Sequence, residues 1–246
     1  MLDSFKYMFK AENFWKRYLL LLLFVFISNF LINWSGFFAP VMNDGKSSPL
    51  YYILPVVGLC VMFVPYGYSM LILKSRLNNS PDLPKLQVLQ NFISGFKVVL
   101  SAIVLLLALT LFFKAIYLFN SLLSGVTDYV SVIFNVLIFL VLLFVSFFGI
   151  AMCCRYVIKP SYLNFVNFVA AVKLINCNVA KYFKSYLLTI LCTVIVYSIA
   201  MFSVMYLSTI GYLGLFLYCL LVSVIWTYYV FVLAGIFANG VIADKI

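Results

Sequence analysis

Six long apolar runs, separated by short segments that hold most of the charge, constrain this chain, because about 20 apolar residues in a helix cross the roughly 30 Å core of a bilayer. Hydrophobic residues make up 67% of the 246 residues and charged residues 9%, against about 25% charged residues in average soluble domains. A water-soluble fold of this size cannot bury so much apolar side chain. We therefore predict an all-α polytopic membrane helix bundle. The composition excludes a water-soluble enzyme, a nucleic-acid-binding domain and a disordered protein.

The apolar runs predict six transmembrane helices within a single integral membrane domain, residues 1–246. Their predicted bounds are 18–38, 51–73, 98–119, 129–152, 186–207 and 212–237. Three more segments are amphipathic or too short to cross, which is typical of helices that lie in the interface plane. We predict such interfacial helices on the cytoplasmic side at 1–17, 83–97 and 161–178. A frayed basic N-terminus is the alternative for the first of them.

The charges of this chain are distributed very unevenly between the two sides of the predicted membrane. Of the 16 Lys and Arg residues, all but Lys46 and Lys114 fall in segments that would share one side, while the chain has only 6 acidic residues. Because positive loops are retained in the cytoplasm, both termini are predicted to be cytoplasmic. The cations are spaced between apolar runs, which favours the bilayer and anionic lipid headgroups as partners, not nucleic acid. Protein partners are not indicated, and a homo-oligomer is compatible with the sequence.

The sequence lacks the residues that most enzymes and coupled transporters need. It has no histidine, the commonest metal ligand and general base, and it shows no phosphate-binding loop, dinucleotide motif or nucleophile elbow. The six predicted spans contain no Asp or Glu, although ion-coupled transporters usually keep buried ionisable groups. We therefore expect no enzymatic activity and no cofactor or metal, and consider a coupled pump disfavoured.

The second predicted span contains four residues that interrupt regular helices: Pro55, Gly58, Pro65 and Gly67. Each proline removes a backbone donor, so this helix is expected to be kinked or locally unwound. Broken helices at membrane depth can form a substrate site, which makes these residues candidates for a hinge or cavity. The simpler interpretation is that proline is common in spanning helices.

Three asparagines lie within the predicted spans. Asn29 and Asn33 are one turn apart in the first span, and Asn135 lies in the fourth. They are candidates for lining a cavity. The alternative is that they donate hydrogen bonds between neighbouring helices, as polar residues in membranes commonly do.

The chain also contains a candidate internal repeat. Each odd-numbered span follows an aromatic residue and a lysine, in Trp15-Lys16, Phe96-Lys97 and Phe183-Lys184. This pattern predicts three helical hairpins of one kind, related by an axis along the membrane normal. A basic interface that favours aromatic–lysine pairs is the alternative explanation.

Several short motifs are more specific than the composition. They are Phe5-Lys6-Tyr7 and Asn13-Phe14-Trp15-Lys16-Arg17 before the first span, Gly67-Tyr68 closing the second, and Leu83-Pro84, Phe92 and Gly95-Phe96-Lys97 before the third. More loosely, the second half contributes Lys159-Pro160, Phe165, Asn178 and Tyr186. On these motifs the chain resembles a family of bacterial and archaeal membrane proteins known as domain of unknown function 4013.

This family has no assigned activity, so the resemblance implies a multi-pass topology in the plasma (inner) membrane of a prokaryote and no mechanism. The sequence departs from the family pattern in its long third and fourth spans. Gly67 and Gly95 have a physical rationale, since each lets two backbones approach closely where an interfacial helix meets a span.

Two classes of function remain open at the level of the sequence. The first is a non-enzymatic scaffold or envelope module that acts through its helices and its basic inner face. The alternative is a permease-like protein that moves a small or lipid-like solute through a cavity beside the second helix. A water-accessible cavity lined by the asparagines would favour the permease, and tight packing at that depth would favour the scaffold.

Overall fold

A computed structural model describes residues 9, 11, 13–38, 50–78, 80, 82–101, 103, 110, 114, 128–161 and 167–241. Over these residues the chain is all-α. We number its helices α1 (Phe14–Phe38), α2 (Leu50–Leu77), α3 (Val88–Ser101), α4 (Asp128–Ile158), α5 (Phe168–Asn176), α6 (Val179–Leu207) and α7 (Gly211–Gly240). A short 3-10 turn, Ser208–Ile210, joins α6 to α7.

Five helices of 25 to 31 residues, namely α1, α2, α4, α6 and α7, are long and apolar enough to cross a membrane. The predicted polytopic all-α bundle is therefore confirmed. Several helices extend past the predicted bounds, since α4 continues to Ile158 and α6 begins at Val179. The predicted third span, 98–119, lies mostly outside the described residues.

The segments predicted to lie in the interface differ from one another. Most of 1–17 lies outside the described residues, although Phe14 already begins α1. In the second segment, residues 83–87 are not helical, and α3 continues through residue 97 without a break. The backbone shows no break at residue 97, because one helix carries both the amphipathic stretch and the start of the apolar run.

The third predicted interfacial segment, 161–178, contains the nine-residue helix α5, and residues 162–166 lie outside the described residues. The Asn167 side chain caps α5 by accepting a hydrogen bond from the Ala170 N–H at 3.0 Å. One face of α5 is buried, while Lys173 is exposed on the other. Phe168 stacks on Phe144 of α4, with ring centroids 5.2 Å apart. This amphipathic helix therefore packs on α4.

One end of the bundle collects the beginnings of α1 and α6 and the ends of α2, α4 and α7. The ring of Phe231 in α7 lies 5.7 Å from that of Phe14 in α1 and 6.4 Å from that of Tyr68 in α2. Gly240 lies against Ser185 of α6, and the Tyr182 hydroxyl of α6 bonds the backbone of α4. We call this the basic end, because the described cations are concentrated in these helix ends and the segments that adjoin them. The largest buried apolar cluster also lies here.

The outward faces of the bundle are apolar. Helix α6 is the clearest case, since large hydrophobic side chains are exposed along it. They include Leu187, Leu191, Val194, Ile195, Met201, Phe202 and Met205. Such a surface is stable in hydrocarbon but not in water. The fold therefore places these helices in a membrane.

Candidate functional site

The four candidate hinge residues lie in α2, which stays helical from Leu50 to Leu77 through both prolines. Local unwinding, one of the two expectations for this helix, does not occur. Each proline removes a single N–H from a ladder of 28 residues, and neighbouring helices can compensate for such a loss in a membrane. Pro55 is half-buried and Pro65 is buried.

Gly58 is the point at which α2 meets α1. The Ser28 hydroxyl donates a hydrogen bond of 2.7 Å to the Gly58 carbonyl, and Ser28 is fully buried. A Cβ added at Gly58 would lie 2.8 Å from Cγ1 of Ile32. The space beside Gly58 is therefore filled by α1, and only glycine allows this approach.

Gly67 faces Gly95 of α3 in a still closer crossing. A Cβ on Gly67 would lie 1.8 Å from the carbonyl oxygen of Asn91, and a Cβ on Gly95 would lie 1.8 Å from that of Phe63. Two backbones in contact leave room only for hydrogen atoms, which explains glycine on both helices. The close approach inferred for this pair from the sequence is present.

The asparagines behave differently from one another. Asn29 donates a hydrogen bond of 3.0 Å from Nδ2 to the Ser223 hydroxyl of α7, so it links two helices. Asn33 instead donates to the backbone carbonyl of Asn29, at 2.7 Å within its own helix. The side chain of Asn135 lies outside the described residues. Gly58, Gly67 and Asn29 therefore meet α1, α3 and α7, respectively, at contact distance.

Helix α7 presents a buried stripe that sequence reasoning missed. Its members recur every fourth residue and are all fully buried: Cys219, Ser223, Thr227 and Phe231. This spacing places them on one helix face. That face meets α1, since Asn29 bonds Ser223 and the Tyr18 hydroxyl donates to the Val224 carbonyl at 3.0 Å. The four-residue recurrence of small and polar residues was the available signal.

At the basic end, two side chains hold the backbone that precedes α3. The Tyr68 hydroxyl donates a hydrogen bond of 3.0 Å to the Pro84 carbonyl, and the Arg17 guanidinium donates to the Leu83 carbonyl. Leu83 itself is buried. Arg17, Tyr68 and Leu83-Pro84, which carry the family resemblance, are therefore brought together by α1 and α2.

Two tyrosines of α6 bind the backbone of α4, which the sequence did not indicate. The Tyr182 hydroxyl donates to the Phe147 carbonyl and accepts from the Ala151 N–H at 3.1 Å. One turn further along, the Tyr186 hydroxyl donates to the Leu143 carbonyl at 3.2 Å and lies 2.8 Å from the Ser146 hydroxyl. The Phe147 carbonyl and the Ala151 N–H are the two partners of one helical hydrogen bond. The Tyr182 hydroxyl therefore inserts between them, within the backbone hydrogen bonds of α4.

Comparison with known proteins identifies one family. The profile of a family described as protein of unknown function, DUF4013, matches residues 50–205, which is more than half of the chain. No curated protein and no solved structure matches the chain.

Proposed function

Since the chain belongs to the DUF4013 family of proteins of unknown function, we propose its role from physical chemistry: a non-enzymatic scaffold or envelope module of a prokaryotic plasma membrane. The apolar helices and the family match together support a membrane protein. The scaffold assignment rests on how the polar residues at membrane depth are used.

The observation that carries this proposal is the closed contact between α1, α2 and α7. The Ser28–Gly58 and Asn29–Ser223 hydrogen bonds join these helices, and Ser28 and Ser223 are fully buried. A permease would use polar side chains at this depth to contact a hydrated solute. Here these side chains bind neighbouring helices, as is typical of polar residues that stabilise membrane bundles.

We also propose that the basic end faces the cytoplasm. The described helices that begin the chain and end it, α1 and α7, meet at this end, so both termini would share the cytoplasmic side. Retention of positive segments in the cytoplasm supports this orientation. The exposed cations there would attract anionic lipid headgroups, and the same surface would be available to protein partners.

Thiol labelling tests the closed contact. Asn29→Cys and Ser223→Cys are made in the full chain, and membrane vesicles open to reagent on both faces are treated with a charged maleimide. A scaffold with a closed contact predicts no labelling above the unsubstituted protein, whose six cysteines set the background. Lys85→Cys, exposed outside the helices, serves as the labelled control. Rapid labelling at both positions 29 and 223 would contradict the scaffold and support a solute path.

A further inference from the structure

Three of the long helices share one motif at a constant interval. Phe63, Phe147 and Phe231 follow one another at intervals of 84 residues, in α2, α4 and α7. Each is followed four residues later by a small residue, namely Gly67, Ala151 and Gly235. All three small residues are buried. The pattern marks the same register position in three helices that end at the basic end.

Burial repeats with the same interval after the motif. Four positions per helix are buried in all three copies: Gly67, Ala151 and Gly235; Tyr68, Met152 and Ile236; Ile72, Tyr156 and Gly240; Leu73, Val157 and Val241. In addition, α2, α4 and α7 contact one another in every pairwise combination. These three helices therefore form an inner ring with quasi-equivalent core faces.

Each motif phenylalanine is contacted by one residue of another helix. Gly95 of α3 lies against the Phe63 carbonyl, Tyr182 of α6 donates to the Phe147 carbonyl, and the ring of Phe14 in α1 lies 5.7 Å from that of Phe231. The contacted phenylalanines belong to α2, α4 and α7. Helices α1, α3 and α6 therefore dock at one equivalent position each, and α1 closes the ring by docking on α7.

The two residues that follow each docked residue form a repeated surface feature. After buried Phe14, Gly95 and Tyr182 come the aromatic–lysine pairs Trp15-Lys16, Phe96-Lys97 and Phe183-Lys184. The aromatic rings are 65%, 46% and 50% exposed, and all three lysines are exposed. The shared register of burial and exposure distinguishes these pairs from scattered basic residues at an interface.

These lysines have no acidic partner among the described side chains. Asp82 is the one acidic residue whose side chain belongs to the described part of the chain, and no ion pair to Lys16, Lys97 or Lys184 occurs within that part. An exposed ring beside an exposed ammonium group suits the membrane interface, since the ring lies at headgroup level and the lysine reaches the phosphates.

We propose that the three aromatic–lysine pairs are quasi-equivalent binding sites for acidic phospholipid headgroups, one on each hairpin of a threefold internal repeat. The inference rests on the proposed contact of the basic end with an anionic leaflet. Each ring positions its lysine at headgroup depth, and each lysine neutralises one phosphate. The repeat makes the sites alike in geometry and spaces them around the molecule.

The test counts phosphatidylglycerol molecules retained by the purified full-length protein in native mass spectrometry, after exchange from mixed micelles of phosphatidylcholine and phosphatidylglycerol. The unsubstituted protein is expected to retain three. At a phosphatidylglycerol level that just fills three sites, Lys16→Gln, Lys97→Gln and Lys184→Gln should each shift the count from three towards two, and the triple variant should shift it towards the background of phosphatidylcholine. Loss of one lysine should weaken binding at its own site about fivefold, given the attraction of a single cation to an anionic membrane.

Two matched sets of variants make the result decisive. Lys85→Gln and Lys173→Gln remove exposed lysines outside the repeat and should leave three lipids bound, whereas the triple Lys→Arg variant should keep all three by keeping the charge. Equal losses in the control lysines, or an unchanged count in the triple Gln variant, would overturn the proposal. A loss confined to one pair would overturn the equivalence of the sites. If the thiols at positions 29 and 223 are protected but no specific lipid is retained, the lipid sites are contradicted and the scaffold is not. If both thiols are labelled and three lipids are retained, the scaffold is contradicted and the lipid sites are not.

Discussion

At the scale of single residues, the polar side chains of the spans differ in whether they have hydrogen-bond partners. Asn29 and Ser28 are paired across helices, while Asn91 is fully buried and its amide nitrogen and oxygen have no partner within the described residues. An unpaired buried amide costs free energy, whereas a paired one contributes modestly in a membrane. Asn91 lies at the α2–α3 crossing, where backbone contact determines the packing.

A double-mutant cycle measures the Asn29–Ser223 interaction. Asn29→Leu and Ser223→Ala should each lower the free energy of unfolding in detergent, with a coupling energy of about 0.6 kcal/mol, the average for interhelical hydrogen bonds in membranes. The matched control is Asn33→Leu, because Asn33 donates to its own helix and should show no coupling to Ser223→Ala. Equal coupling for positions 29 and 33 would contradict the assigned geometry.

At the scale of elements, close backbone contact decides which helices pair. The α2–α3 crossing depends on two facing glycines, and α1 reaches α2 at a third. These contacts explain why α2 can carry two prolines and remain one helix, since tertiary packing, more than local propensity, stabilises helices in a bundle.

Gly67→Ala tests the crossing. The added methyl group would lie 1.8 Å from the Asn91 carbonyl oxygen, so the helices must separate, and the free energy of unfolding in detergent should fall by roughly 1–3 kcal/mol. Gly149→Ala in α4 is the matched control, because its Cβ would have no neighbour within 4 Å among the described residues. That variant should gain about 0.5–1 kcal/mol from reduced backbone entropy in the unfolded chain. A Gly67→Ala variant that loses no stability would show that the crossing is not close-packed.

At the scale of the whole molecule, the sequence predicted the features that depend on local composition. Spanning lengths, the aromatic–lysine pairs and the glycines of the crossing are all visible in short windows. Contacts between distant segments are not. Asn29 meets Ser223 across 194 residues, and Tyr182 inserts its hydroxyl into α4, so both depend on how helices dock. The continuity of α3 across residue 97 was not visible either, because a helix continues wherever its backbone hydrogen bonds do, whatever the polarity of its side chains.

The threefold arrangement connects these scales. Three inner helices contact one another near the basic end, and each outer helix docks at the same motif. Because α1 docks on α7, the first and last described helices complete the ring. The start of α1 and the end of α7 therefore both lie at the basic end. The described bundle therefore has one end rich in cations and apolar outward faces.

Site-directed labelling in intact cells tests most directly that the bundle crosses the membrane with its basic end in the cytoplasm. Lys46→Cys and Lys181→Cys are treated with a maleimide that does not cross membranes, with the unsubstituted protein as background. We expect labelling of position 46 in intact cells and of position 181 only after the cells are permeabilised. Labelling of position 181 in intact cells, with position 46 protected, would contradict the orientation. Labelling of both would contradict the membrane-spanning arrangement.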